Sequence, residues 1–265
     1  TRLQGDWSSD VCSSDLKEEF IDKIKTDENF AKQYGELGPV YGKQWVDWNA
    51  LQPIPPLKHI EIDENQFVLG KQINQIQNAI DTLNNDPDSR RNMVNAWNVG
   101  ELDNMVLPPC HYGFQLYTYE MDYKERMEEW CKSLGKSIHY ADNMTEEKLN
   151  EINFPKRKIS LNWNQRSVDT PLGLPFNIAS YGFLLHMFAQ QANMIPDELI
   201  GSLGDTHIYS NQIDEIKEQL KRDTEKYKAP KLKLNKAKDI FSYSIDDFEI
   251  LDYESYPTIK MLLSN

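Results

Sequence analysis

Cys110 stands in the run LPPCHYGFQ, where two prolines stiffen the approach, a histidine follows directly and aromatic residues shield the neighbourhood. A thiol so placed is the best nucleophile in the chain, although free cysteine is also a common small, buried core residue. Cys131 has no histidine or arginine near it in sequence to stabilise a thiolate, and Cys12 falls in an atypical segment near the start. The cysteines show no paired ligand spacing and the five histidines are scattered, so no metal site is expected. Arg90-Arg91 and the Gln165-Arg166-Ser167 cluster offer fork-like donors that suit a phosphate, and equally suit a solvated loop. The fourteen residues NQRSVDTPLGLPFN concentrate guanidinium, hydroxyl, carboxylate and amide groups among apolar ones, as a pocket wall would. In GDTHIYSN, His207 and Tyr209 stand two apart and share one side of an extended segment, whether as ligand contacts or as satisfied core residues.

These groups need rigid supports, and the hydrophobic pattern supplies them. Ile73, Ile76, Ile80 and Leu83 recur at helical spacing, and NDPDSRR then stops the helix and puts two arginines in a turn. Met93 to Trp97 and Gly113 to Tyr119 read as short buried strands with Cys110 between them. Met121, Met127, Trp130 and Leu134 mark one face of a charged helix, and Thr145 with Glu146 and Glu147 starts another; together they read as a surface insertion over about 120–157. Lys158 to Trp163 alternates as a strand, whereas Ile178 to Ala192 is apolar on nearly every face and predicts a buried central helix. Ile213, Ile216 and Leu220 predict an amphipathic helix, and KLKL from Lys231 to Leu234 a half-exposed strand. Helices and strands mix without a regular βαβ rhythm, so the fold class is α+β: a single domain with a mixed sheet covered by helices.

Composition agrees with one globular domain. Of 265 residues 39% are apolar, and 12 Gly with 13 Pro are too few for a low-complexity chain. A net charge of −13 disfavours general nucleic-acid or anionic-membrane binding, so an anionic ligand must be met by local positive charge. The longest apolar stretch, Ile178 to Ala189, is interrupted by Ser180, Tyr181 and His186 and is too short to cross a bilayer. The start lacks a secretory pattern and cysteines are sparse, which suggests a reducing cytoplasm and makes Asn143-Met144-Thr145 an accidental glycosylation triplet. Ser8 to Leu16, SSDVCSSDL, is an imperfect doubling without periodicity, so residues 1–16 read as a non-native segment and 17–265 as the domain.

Taken in order, GELGPVYGKQW, DPDSRR, AWNVGELD, LPPCH, NQRSVDTPLGLPFNIASY, GDTHIYSN and PTIKM closely resemble the thymidylate synthase family, from about Lys17 to the C-terminus. The resemblance implies a cysteine, here Cys110, that adds to C6 of deoxyuridine monophosphate (dUMP), while 5,10-methylenetetrahydrofolate gives first a one-carbon unit and then a hydride. It implies that Arg166 stabilises the thiolate and, with Ser167, binds phosphate. It further implies a homodimer through the sheet face, with Arg90 and Arg91 reaching into the partner subunit's site. Asn177 would read the pyrimidine, His207 and Tyr209 would hold the deoxyribose hydroxyl, and Asp169, Leu172, Gly173 and Phe176 would face the folate. Tyr41 and His111 would join the polar network around C5.

The family's N-terminal part, with a further arginine and a catalytic glutamate, has no counterpart before Lys17, which suggests an N-terminally truncated domain. The family's small apolar C-terminal residue is replaced by the ending MLLSN. Two alternatives follow. Looser closure would let water capture the exocyclic methylene and give a dUMP 5-hydroxymethylase, and loss of the catalytic glutamate would leave an inactive nucleotide-binding fragment.

Overall fold

Alternation of buried and open side chains along two long strands sets the architecture. The computed structural model describes residues 25–27, 38–50, 71–141 and 144–262. The segment 1–16, Asn143 and the last three residues lie outside them, so the expectations about those positions are not addressed. In chain order the elements are α1 (Tyr41–Val46), β1 (Trp48–Ala50), β2 (Lys71–Ile73), α2 (Gln75–Asn85), β3 (Met93–Asn95), β4 (His111–Glu120), α3 (Tyr123–Ser133), α4 (Glu146–Glu151), β5 (Arg157–Asp169), α5 (Gly173–Gln191), β6 (Ile195–His207), α6 (Ile213–Gln219), β7 (Lys231–Leu234) and β8 (Phe248–Leu251).

The main sheet has the order β3-β4-β5-β6 and is mixed, antiparallel except for the β5–β6 pair. A parallel pair requires a crossover, and α5 supplies it. On the covered face Phe114 and Leu116 of β4 and Ile159, Leu161 and Trp163 of β5 meet Tyr181, Leu185 and Phe188 of α5, all buried. Helix α2 joins the same core through Ile76, Ala79 and Leu83. It begins two residues later than the apolar spacing suggests, because Ile73 belongs to β2 and Asn74 caps the helix by accepting from the Gln77 N–H at 2.9 Å. Helix α5 starts at Gly173, five residues before the expected Ile178. Pro175 fits a first turn, where its missing N–H leaves no helix bond unmade.

Strand β6, IPDELIGSLGDTH, escapes a reading by pattern. Its apolar residues do not alternate and its two glycines and acidic residues lower strand propensity, yet pairing with β5 holds it extended. Gly204 lets it approach: a Cβ there would sit 2.8 Å from the Arg166 carbonyl oxygen, so backbone would have to move. Gly204→Ala is expected to cost ~1–3 kcal/mol, read as a lower midpoint in denaturant with unchanged slope.

The opposite sheet face is open. Gln115, Tyr117, Tyr119, Ser160, Asn162 and Ile200 line a cavity of ≈ 530 Å³ there together with Asp197 and Glu198. Between β4 and β5, α3 and α4 form a small core of Met127, Cys131 and Leu149. Buried Arg126 braces it, donating to Asn150 Oδ1 at 2.8 Å and to the Pro155 and Phe154 carbonyls. Thr145 caps α4 as its sequence suggests. Lys158 ties this excursion to the sheet through Glu125 at 2.9 Å and Glu129 at 3.1 Å. Among the described residues, no helix is long and apolar enough to cross a membrane.

Candidate active site

Cys110 lies on the bend immediately before β4, partly exposed, with its backbone held on both sides. Its N–H donates to the Tyr41 hydroxyl at 3.0 Å, and its carbonyl accepts from the Arg166 N–H at 2.8 Å. Tyr41 is buried on α1, a short helix anchored by buried Gln44, whose side chain donates to the Pro39 carbonyl at 2.7 Å and accepts from Asn98 at 3.1 Å. The turn into α1 uses Gly38 at φ 80°, where any side chain would collide with the Asn104 carbonyl.

The Arg166 guanidinium is fastened to the nucleophile loop. Nε donates to the Pro109 carbonyl at 3.0 Å, Nη2 to the Pro108 carbonyl at 2.8 Å, and the group lies over the Trp97 ring at 5.7 Å. A permanent cation is thereby held against the loop that carries the thiol, the condition under which a thiolate forms near neutral pH. The sequence cluster Gln165-Arg166-Ser167 divides here. Strand alternation sends Arg166 to the exposed side and buries Gln165, so Gln165 is not a phosphate donor as its neighbours in sequence suggest.

Gln165 instead holds Asn177. Its Nε2 donates to Asn177 Oδ1 at 3.0 Å and to the Ser167 carbonyl at 2.9 Å, while the Trp163 indole N–H donates to its Oε1 at 3.2 Å. Asn177, on the second turn of α5, is 1% exposed, and its Nδ2 has no partner among the described residues. A buried carboxamide fixed at one end and unsatisfied at the other has room for a ligand that accepts a hydrogen bond.

His111 pairs with Gln165 in the β4–β5 register. It stacks on Tyr41 at 4.0 Å, its Nδ1 lies 2.7 Å from the Tyr181 hydroxyl, and its Nε2 is buried without a partner among the described residues. Burial lowers its pKa to about 3, so the ring is neutral at physiological pH. Sequence reasoning does not reach Tyr181, and it reaches Gln165 only as a phosphate donor. The strand period could have found Gln165, but an α5 tyrosine in an apolar run reads as plain core.

At the far end of β5, Asp169 pairs with His207 of β6, and the Leu172 N–H reaches Asp169 Oδ1 at 3.3 Å. Gly173 lies against both Asp169 and Asn177, and Phe176 is 60% exposed. His207 and Tyr209 do share one side, their rings 4.9 Å apart edge to face. Just beyond, buried Gln212 donates to the Leu262 carbonyl at 2.9 Å and so tethers the C-terminal segment next to them. Arg90 and Arg91 stand apart from this group. They occupy the turn before β3, exposed, with the Arg90 carbonyl accepting from Gln115, five residues or roughly 15 Å along β4 from Cys110. Among the described residues, no group of three or more His, Cys, Asp or Glu is placed to hold a metal.

The family model for thymidylate synthase matches residues 7–265 of the chain. The chain belongs to the thymidylate synthase family. It is 43% identical over 242 residues to the thymidylate synthase of Corynebacterium aurimucosum, and 40% identical over 243 residues to that of Mycoplasma mobile. Each alignment takes in 91% of this chain, and the chain spans 70% of the first relative and 64% of the second. Thymidylate synthases are methyltransferases, and in this member the thiol stands on the bend before β4, the clamped guanidinium on β5 and the buried carboxamide on α5.

Proposed function

We propose that this protein is a thymidylate synthase that converts dUMP to dTMP, with 5,10-methylenetetrahydrofolate as donor of both carbon and hydride. The observation that carries the reading is the Asn177 carboxamide, buried and aligned by Gln165. Its second Oδ1 lone pair can accept from uracil N3–H while Nδ2 donates to O4. Cys110 as thiolate adds to C6, and the electron pair moves through C5 to O4. C5 then attacks the methylene carbon of the folate, and C5 loses its proton. The folate departs to leave an exocyclic methylene, takes part again by giving its hydride to that methylene, and becomes dihydrofolate. Expulsion of Cys110 from C6 restores the ring double bond.

Arg166 and Ser167 serve the phosphate, His207 and Tyr209 the deoxyribose hydroxyl, and Asp169, Leu172, Gly173 and Phe176 the folate. Because Arg90 and Arg91 lie away from Cys110 and are exposed, they are assigned to the partner subunit's site in a homodimer packed through the open sheet face. Exposed Met93, Tyr117 and Ile200 on that face support the assignment. A Cys110→Ser chain mixed with an Arg90→Glu chain is expected to regain up to about a quarter of the sites by random pairing, with neither parent active alone. Mixtures that stay inactive after subunit exchange would count against shared sites. Incubating the full chain with both substrates tests the reaction itself. Release of dihydrofolate, seen as its absorbance, supports it, and tetrahydrofolate with a 5-hydroxymethyl nucleotide overturns it.

A further inference from the structure

We infer that Tyr181 is a positioning residue that locks His111 in the neutral tautomer carrying its proton on Nε2, so that the site presents an N–H donor beside the Asn177 amide. Tyr181 is 2% exposed and sits in the aromatic core, stacked on Trp163 at 5.5 Å and edge-on to Phe114 at 5.9 Å. Its hydroxyl has a single hydrogen-bond partner among the described residues, His111 Nδ1 at 2.7 Å. If Nδ1 carried the proton, the tyrosine O–H would be buried with nothing to donate to, a loss of about 1–3 kcal/mol. With Nδ1 as acceptor both groups are satisfied, and the imidazole proton must stand on Nε2. Burial supports the assignment, holding the imidazole neutral and the phenol protonated, the Tyr181 pKa being pushed well above the usual tyrosine range.

Two buried donor groups then remain unpaired among the described residues, the His111 Nε2–H and the Asn177 Nδ2 amide, and they belong to one neighbourhood. His111 faces Gln165 across the β4–β5 ladder, and Gln165 grips Asn177. A carbonyl oxygen has two lone pairs and can accept from both, directly or through one ordered water, whereas an amino group in its place would meet two donors. Addition of the thiol at C6 builds negative charge on that oxygen, which fixed donors stabilise more than they stabilise the ground state. Tyr41 holds the ring from below by stacking at 4.0 Å, so orientation and proton placement come from different neighbours. The inference rests on the pyrimidine reading of the site only for what the donor serves, and the tautomer can be examined without substrate.

Full-length protein labelled with ¹⁵N-histidine, compared with Tyr181→Phe, gives the test at neutral pH. In the wild-type chain the two-bond ¹H–¹⁵N spectrum should show His111 Nδ1 as pyridine-like and Nε2 as pyrrole-like, and Y181F should lose that preference. A wild-type His111 with its proton on Nδ1, or an unaltered pattern in Y181F, overturns the inference. The wild-type spectrum alone decides if Y181F fails to fold. In turnover, Y181F should lower kcat ~10-fold while KM for dUMP moves less than ~2-fold, a split that loss of packing alone would not produce. Unchanged kcat would deny the donor its role. Wild-type protein that never reacts with dUMP would defeat the functional reading and leave the tautomer to the spectrum.

Discussion

Cys110→Ser is expected to remove the covalent adduct with 5-fluoro-dUMP and methylenetetrahydrofolate, and to lower turnover by more than ~10⁴-fold. Fluorine at C5 cannot leave as the proton does, so the wild-type complex should persist and raise the intact mass by both ligands. A serine hydroxyl beside Arg166 stays protonated, because the gap between its pKa and neutrality is far greater than for a thiol. The fold should survive: the loop at position 110 is held by the backbone N–H donated to Tyr41 and by the carbonyl that accepts from Arg166, and serine keeps both. An adduct of the same mass in Cys110→Ser would show that another atom attacks the base and would overturn the assignment of the nucleophile.

Asn177→Asp should exchange the base that the site accepts. The carboxylate keeps an oxygen for the Gln165 donor at the present 3.0 Å position but has no N–H to offer O4. Cytosine presents an amine at C4 and a bare N3, which a carboxylate pair can meet with one acceptor and, when protonated, one donor. Burial raises the pKa of such a carboxyl and helps it hold that proton. The expected result is a loss of at least ~10²-fold in kcat/KM for dUMP, with release of the C5 proton from dCMP becoming measurable. Tritium release from both 5-labelled nucleotides reads it directly. Unchanged preference for uracil would mean that the base is read by other groups.

How much of this was legible beforehand follows from where each residue sits. Helix α2, β4, α5 and the capped start of α4 could be read from apolar spacing and a threonine, since packing against one face imposes a period. Cys110 stood out because prolines and a histidine surround it, whereas the two-residue step of His207 and Tyr209 gave only a shared side and left their role open. Strand β6 was hidden, since its extended state comes from a neighbour far away in sequence and not from its own alternation. The division of Gln165 from Arg166 was available in the strand period but masked by the polar composition of the run. Tyr181 was hidden more deeply, because only a hydrogen bond from its helix to strand β4 distinguishes it from its apolar neighbours.

Proline carbonyls have a particular effect at Arg166. Pro108 and Pro109 lack amide protons and enter no sheet ladder, so their oxygens are left to grip the guanidinium of Arg166, while the backbone N–H of the same residue donates to the Cys110 carbonyl. Cation and nucleophile loop are thus stitched together at three consecutive carbonyls, so a displacement of the arginine must drag the loop backbone with it or break those bonds.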